Sequence, residues 1–228
     1  TRTELGSELR RMFVAGEGMV LVDADYSQIE LRLLAHISGD EAMREAFLSG
    51  EDFHTVTAAH VFGVPLGEVT PAMRRAAKAV NFGIVYGISA FSLSQDLGVT
   101  VAEAKEYMEA YFARFPGVKH YMESVVEKAK ADGFVETLWH RRRSLPEIKA
   151  SNFNTRSFGE RVAMNSPIQG TAADIMKIAM IGVDRELRRR GLRSRIVLQV
   201  HDELLIETWK PETEEVKAIL EDKMKHAS

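Results

Sequence analysis

An apolar run near the start of the chain has to find its partners close to the other end. Met19, Val20, Leu21, Val22 and Ala24 form an almost unbroken hydrophobic stretch that finishes in Asp25, the pattern of a buried β-strand. The next residues, Ser27-Gln28-Ile29-Glu30, already begin a helical pattern. The best remaining strands are Arg195 to Val200 and Glu203 to Trp209, with only His201-Asp202 between them. A single strand or a lone hairpin is seldom stable in water. The three are therefore expected to share one sheet, although most of the chain separates the first from the other two. The expected fold class is α+β: a small antiparallel sheet packed on helices, with a large, mostly helical insertion between its strands.

Helical patterns fill the interval. Thr3 to Phe13 reads as a short helix with Thr3 as N-cap, and Gly16 and Gly18 break the chain before the strand. Gln28 to Ser38 carries Ile29, Leu31, Leu33, Leu34 and Ile37 on or near one side and stops at Gly39. Asp40 is the expected cap of a helix to Leu48, and a further helix spans Phe53 to Phe62. Thr70-Pro71 pairs a cap with a proline in the first turn and opens a helix to Gly87. Ser89 to Leu97, Thr100 to Phe115 and Pro116 to Ala131 continue the run, and one small strand pair, Phe134 to Trp139 with Arg142 to Leu145, interrupts it. Helix resumes near Ser157. Ser166-Pro167-Ile168-Gln169 reads as a capping box launching the segment to Arg190, and Pro211 starts a last helix.

Composition narrows the chemistry. With 228 residues, 45% of them hydrophobic and 28% charged, the chain is ordinary globular material and long enough to bury a core. No apolar run nears the roughly 18 residues that span a membrane, and no signal-peptide pattern is present. A soluble, cytoplasmic protein with no membrane partner is expected. The absence of cysteine excludes disulfides and thiolate metal sites. Carboxylates and histidines remain as side-chain ligands, which favours hard cations such as magnesium. A net charge of -3 argues weakly against nucleic acid, yet the positive charge is clustered at Arg10-Arg11, Arg74-Arg75, Arg141 to Arg143 and Arg188 to Arg190.

Two acids at strand tips are the candidate centre. His201-Asp202 is poor chemistry for a two-residue hairpin turn, which favours Asn-Gly or Asp-Gly because positive φ is needed. A metal site at the tip is one reason to keep it. Asp25 and Asp202, brought from adjacent strand ends, would repel each other unless a cation compensated them. Two magnesium ions roughly 3.5–4 Å apart would do so. Taken singly, Asp25 reads equally well as a helix cap, and His201-Asp202 as a solvated turn. Asp23 shares the face of Asp25 by strand alternation and is a rival ligand, whereas Glu203 follows Asp202 and would point to the opposite side of an ideal strand. Arg74, Lys78, Phe82 and Tyr86 recur every four residues, forming a slanted helical stripe roughly 18 Å long. Running from cationic to aromatic, it suits a nucleotide, with phosphates at Arg74 and Lys78 and base or sugar at Phe82 and Tyr86. An amphipathic helix with solvated bases and core aromatics has the same spacing.

Three motifs carry a resemblance. DYSQIELR (Asp25 to Arg32), RRAAKAVNFGIVYG (Arg74 to Gly87) and QVHDE (Gln199 to Glu203), in that order and at that approximate spacing, resemble family A DNA polymerases, the DNA polymerase I type. The resemblance covers nearly the whole chain. It implies a palm (residues 1–38 and 157–228) and helical fingers (residues 39–156), with a thumb and an exonuclease-like domain before Thr1 and the last palm strands after Ser228. It also implies DNA-directed DNA synthesis on primer-template DNA from deoxynucleoside triphosphates, by a nucleoid-associated monomer serving replication or repair.

The same resemblance assigns residue roles. Asp25 and Asp202, with the backbone carbonyl of Tyr26, would hold two Mg2+ ions. One ion would activate the primer 3′-hydroxyl and the other would hold the triphosphate and stabilise pyrophosphate. Lys78 would protonate that pyrophosphate. Glu30 would screen the 2′ position, Phe82 would bear on dideoxynucleotide discrimination, and His54 and Gln28 would meet the nucleotide. Arg161, Asn165, Gln169, His201 and Glu203 would contact the primer-template, and Arg141, Arg142 and Arg143 would clamp its phosphates. Two rivals are a catalytically silent DNA-binding module and a two-metal nuclease. The nuclease has no use for the stripe from Arg74 to Tyr86.

Overall fold

The computed structural model describes residues 8–227. A 3-10 turn at Leu9–Met12 precedes strand β1, Met19–Asp25. Helices α1 (Ile29–Ser38), α2 (Glu41–Leu48), α3 (Phe53–Phe62) and α4 (Pro71–Val85) follow. Next come α5 (Ala90–Leu97), α6 (Val101–Arg114) and α7 (Pro116–Asp132). A short hairpin of β2 (Phe134–Glu136) and β3 (Arg142–Ser144) leads to the long helix α8, Phe153–Arg189. Strands β4 (Arg195–Val200) and β5 (Glu203–Trp209) and helix α9 (Thr213–Lys225) complete the described chain. Two compact units result, one built from the residues up to Ser27 and those from Ala172 onward, the other from Gln28–Thr171.

In the first unit the distant strands do pair, in the antiparallel order β1-β5-β4. The central strand β5 alternates strictly, with Leu204, Ile206 and Thr208 buried. The register sets Val22 opposite Ile206 and Ala24 opposite Leu204, so the matching face of β1 joins the same core. Helix α8 covers this face with Met176, Ala179, Val183 and Leu187, and α9 with Val216, Ile219, Leu220 and Met224. Both sets fall at helical spacing. Fully burying one such Leu or Ile contributes roughly 1.5–3 kcal/mol. Because side chains alternate, the same register drives Asp23, Asp25 and Glu203 to the other face of the sheet.

In the second unit the sequence signals for helix starts are realised in detail. Asp40 accepts from the Met43 amide, Asp52 from Thr55, Thr70 from Met73 and Ser89 from Ser92. Thr100 and Glu103 form a reciprocal capping box. One expected start is displaced. Ser166 does not open a helix, because α8 is already continuous through Pro167. The cap lies earlier, at Asn152, whose Oδ1 accepts from the Thr155 amide at 3.1 Å. Ser166 Oγ instead accepts from Arg143 Nη1 at 3.2 Å, and Gln169 therefore sits mid-helix.

Smaller differences have local causes. The β2–β3 ladder is shorter than expected because Thr137 and His140 tighten into a turn, with His140 at φ 59. A 3-10 turn at Lys210–Glu212 precedes α9. The cap expected at Thr3 lies outside the described residues. Among those residues no helix is long and apolar enough to cross a membrane.

Candidate active site

The acidic tip belongs to the first unit. Asp25 ends β1 directly across from Glu203, the first residue of β5. Between Val200 and Glu203 lies the two-residue turn His201-Asp202, and the Tyr26 amide donates to the Asp202 carbonyl at 3.1 Å. One hydrogen bond thus stitches the hairpin turn to the residue following Asp25. His201 takes φ 52, a left-handed conformation that costs a non-glycine residue roughly 1–2 kcal/mol. Gln199 Nε2 steadies the turn by donating to the His201 carbonyl at 2.5 Å.

Electrostatics follow from this geometry. Partial burial raises the proton affinity of Asp25, and the nearby carboxylates of Asp202, Glu203 and Asp23 raise it further. Strand alternation alone underrates Glu203, because Asp202 sits in the turn rather than in the strand, and cross-strand pairing sets Glu203 on the face of Asp25. The Tyr26 hydroxyl donates to the Met224 carbonyl at 2.7 Å, and burial pushes its pKa up to about 12. Its side chain is therefore committed to the core.

The donor set around Asp25 is all carboxylate oxygen, which suits a hard cation. Among the described residues no three His, Cys, Asp or Glu groups converge into a ready-made metal cage. An open acidic pair of this kind fits magnesium, which is usually held by one or two carboxylates plus water and substrate phosphates.

The helical stripe belongs to the second unit. Helix α4 buries Ala77, Val80, Asn81, Ile84 and Val85. Arg74, Lys78 and Tyr86 are exposed and Phe82 is half-buried. Arg74 is held in a fork by Asp52, Nε to Oδ2 at 2.8 Å and Nη2 to Oδ1 at 2.9 Å. That pairing keeps the Asp52 carboxyl well below the usual carboxylate range. The Lys78 ammonium stands 5.9 Å from the Phe82 ring centroid, and the His54 ring lies 5.8 Å from the same ring. Burial pushes the His54 pKa down to about 4, so its imidazole is neutral at physiological pH. At the far end, the Tyr86 hydroxyl donates to Glu30 Oε2 at 2.9 Å. Gln28, the residue before α1, takes φ 55 and leaves its buried Oε1 without a hydrogen-bond partner.

Two glycines shape this end of the stripe. A Cβ on Gly83 would lie 2.7 Å from Ile88 Cγ2. Gly87 has φ +66, and a Cβ there would lie 2.6 Å from Met164 Cε. Beside them opens a cleft of about 590 Å³ lined by Phe82, Tyr86, Ser92, Asp96 and Arg161.

The remaining expected contacts fall on α8 and the small hairpin. Arg161, Asn165 and Gln169 recur at one-turn spacing along α8. Arg161 Nη1 donates to Ser157 Oγ at 3.0 Å, and Asn165 Nδ2 donates to the Val85 carbonyl at 3.4 Å. Gln169 is exposed. The three hairpin arginines have separate engagements. Arg141 Nη2 donates to the Gly170 carbonyl at 2.9 Å, and Arg143 reaches Ser166. Arg142 pairs with Glu136 at 2.7 Å and lies over the Phe134 ring. Two participants were not singled out in the sequence, Asp52 and Asn81. Both left a signal: Asp52 is a cap three residues before Thr55, and Asn81 is an amide on the apolar side of α4.

Comparisons with known proteins agree along the whole chain. The model of DNA polymerase family A matches residues 1–228. DNA polymerase I of Lactococcus lactis subsp. lactis (strain IL1403) is 53% identical over 227 residues, covering 99% of this chain and 26% of that protein. DNA polymerase I of Streptococcus pneumoniae serotype 4 is 54% identical over 228 residues, with the same 99% and 26% coverage. Among solved structures, the POL domain of Pol1 from M. smegmatis, in complex with DNA primer-template and dNTP, matches at a TM-score of 0.96 and 50% identity. That match covers 100% of this chain and 40% of that one. The chain thus spans about a quarter of the length of the curated relatives it matches.

Proposed function

The chain belongs to DNA polymerase family A, and from that premise we propose that it carries the nucleotidyl-transfer centre for template-directed DNA synthesis. In this reading the primer 3′-oxygen attacks the α-phosphorus of a deoxynucleoside triphosphate, the bond to the β-phosphate breaks, and pyrophosphate leaves. The observation that carries it is the hydrogen bond from the Tyr26 amide to the Asp202 carbonyl, with the field of Asp202 felt at Asp25. Two acids far apart in sequence share one small patch, where their mutual repulsion favours a bound cation.

Asp25 and Asp202 would hold the divalent cations, two magnesium ions in this proposal, with the Tyr26 backbone carbonyl as a third donor. When bound, such ions supply the positive charge that activates a hydroxyl and neutralises a departing pyrophosphate. The chain's own residues do the rest. Lys78 supplies a proton to the leaving pyrophosphate, and Arg74 and His54 receive the triphosphate. For Arg74 this requires exchange of its Asp52 partner, a carboxylate, for a phosphate that matches the same fork. Phe82 and Tyr86 pack the base and sugar. Glu30, anchored by the Tyr86 hydroxyl, stands against a 2′-hydroxyl, with Gln28 close by in sequence.

Arg161, Asn165 and Gln169, regularly spaced on α8, would follow the primer-template, as would His201 and Glu203. Arg141, Arg142 and Arg143 would steady its phosphates. Residues 1–38 and 157–228 form the palm and residues 39–156 the fingers of a monomeric enzyme.

Primer extension with magnesium tests this, comparing the protein with its Asp25→Asn and Asp202→Asn variants. Each variant is expected to lose about 10²–10³ in rate or more while still binding primer-template. Extension by either variant at the rate of the unaltered protein would refute the assignment.

A further inference from the structure

A closed polar network lies between α3 and α4. Asn81 has 0% exposure, Thr57 1% and His54 3%. Asn81 Nδ2 lies 2.9 Å from His54 Nδ1. The Thr57 hydroxyl lies 3.1 Å from Asn81 Oδ1 and 3.0 Å from the Phe53 carbonyl, so its single proton is shared between these two acceptors. Three polar side chains on apolar helix faces thus satisfy one another, as burial requires. Their positions have a chemical consequence. An amide nitrogen can only donate, so Nδ1 of the imidazole has to accept. A neutral imidazole that accepts at Nδ1 carries its proton on Nε2.

We propose that Asn81 is a positioning residue that locks His54 in the Nε2–H tautomer, so that the imidazole offers a neutral N–H donor to the polyphosphate of a bound nucleotide. The inference rests on the nucleotide-site reading of the Arg74 to Tyr86 stripe and names a part of its machinery that touches no ligand. Placement supports it. His54 packs against the ring of Phe82, the residue after Asn81, and Lys78 approaches that ring as well. The low proton affinity of the buried ring keeps it neutral, so tautomer rather than charge decides what it presents. With the proton on Nδ1 the same ring would turn a lone pair toward phosphate oxygens, and a donor would become a repeller.

Long-range nitrogen–carbon correlation spectra of histidine-labelled protein read the tautomer directly, without nucleotide. A protonated Nε2 is expected for His54, whereas a protonated Nδ1, the outcome of a reversed Asn81 amide, overturns the proposal. In Asn81→Leu the two tautomers are expected to mix and dATP affinity to fall in proportion to the Nε2–H fraction lost, about twofold for an even mixture, with primer-template affinity unchanged. In a His54→Phe background the same substitution is expected to cost no further dATP affinity. An additive loss there, or an unchanged His54 tautomer in Asn81→Leu, also overturns it. Should the protein bind no dATP at all, the nucleotide-site reading fails and the inference, which rests on it, falls as well. Protonated Nε2 in that protein would mark the failure as belonging to the nucleotide reading rather than to the tautomer lock.

Discussion

Burial of His54 makes the stability of this protein depend on pH in a calculable way. The imidazole falls from its ordinary 6.5 to about 4 in the folded chain, so the unfolded chain takes up a proton in a range where the folded chain refuses it. The stabilisation is fully present above pH 6.5 and is lost as pH falls toward about 4. At about 1.36 kcal/mol per pH unit, the whole window is worth roughly 3 kcal/mol. With 3% exposure of the residue, solvent screening takes little from that figure. Between pH 6.5 and about pH 5 the loss is roughly 2 kcal/mol.

Other groups titrate in this interval, including His60, whose proton affinity is also lowered by burial. A difference measurement removes them. His54→Leu abolishes the titration and leaves the Asn81 amide unpaired, an offset that does not vary with pH here. Asp52, the acid whose charge acts on His54, is held below the whole window by Arg74. Urea unfolding at about pH 7 and about pH 5 is therefore expected to show the unaltered protein losing roughly 2 kcal/mol more than His54→Leu. Parallel losses, within about 0.5 kcal/mol, would refute the claim that this ring is buried in its neutral form.

The remaining predictions probe separate links. Glu30→Ala and Tyr86→Phe are each expected to admit ribonucleotides about tenfold more readily, and the double variant little more than either alone, because the 2.9 Å bond makes them one unit; additive effects in single-nucleotide incorporation would count against a shared role. Gly87→Ala is expected to cost about 1–3 kcal/mol, since its φ is +66 and the new Cβ would lie 2.6 Å from Met164 Cε; an unchanged thermal midpoint would contradict this. Asn152→Ala is expected to cost about 1 kcal/mol and Ser166→Ala less, because Asn152 caps α8 and Ser166 does not. The reverse order in denaturant titrations would restore the helix start to Ser166.

Local chemistry made much of the helical unit legible in the sequence. Asp40, Thr70, Ser89 and Thr100 each satisfy orphan amides of the first turn, a decision taken within four residues, and each lies where the sequence places it. Ser166 failed because the same residues have a second use inside a continuous helix. Its hydroxyl serves Arg143, a partner 23 residues away that no local pattern discloses. Asp52 illustrates the same limit. As a cap it is readable, but its fork with Arg74 joins two helices and depends on how they pack. The acid pair was legible for the opposite reason. Strand alternation and the need of a lone strand for partners fixed the sheet, and the register then brought Asp25 to Glu203 with the turn carrying Asp202 beside them.

Backbone conformation ties these threads together. Among the described residues, the non-glycine residues with positive φ are Gln28, His140 and His201. Each lies within or beside a motif that the sequence marks out: Gln28 in the first, His201 next to Asp202 in the last, His140 before the arginine triplet. Glycine would adopt these conformations without strain, so turn geometry alone would not select glutamine or histidine there. Something about the side chains outweighs roughly 1–2 kcal/mol of backbone cost at each position. His201 lies at the acidic tip beside Asp25, and Gln28 keeps a buried amide oxygen without a hydrogen-bond partner; under the proposed function His201 would meet the primer-template and Gln28 the nucleotide. Replacing His201 by glycine should therefore stabilise the hairpin in unfolding measurements while weakening primer-template binding. A glycine variant that loses stability would show that the imidazole serves the fold and not a ligand.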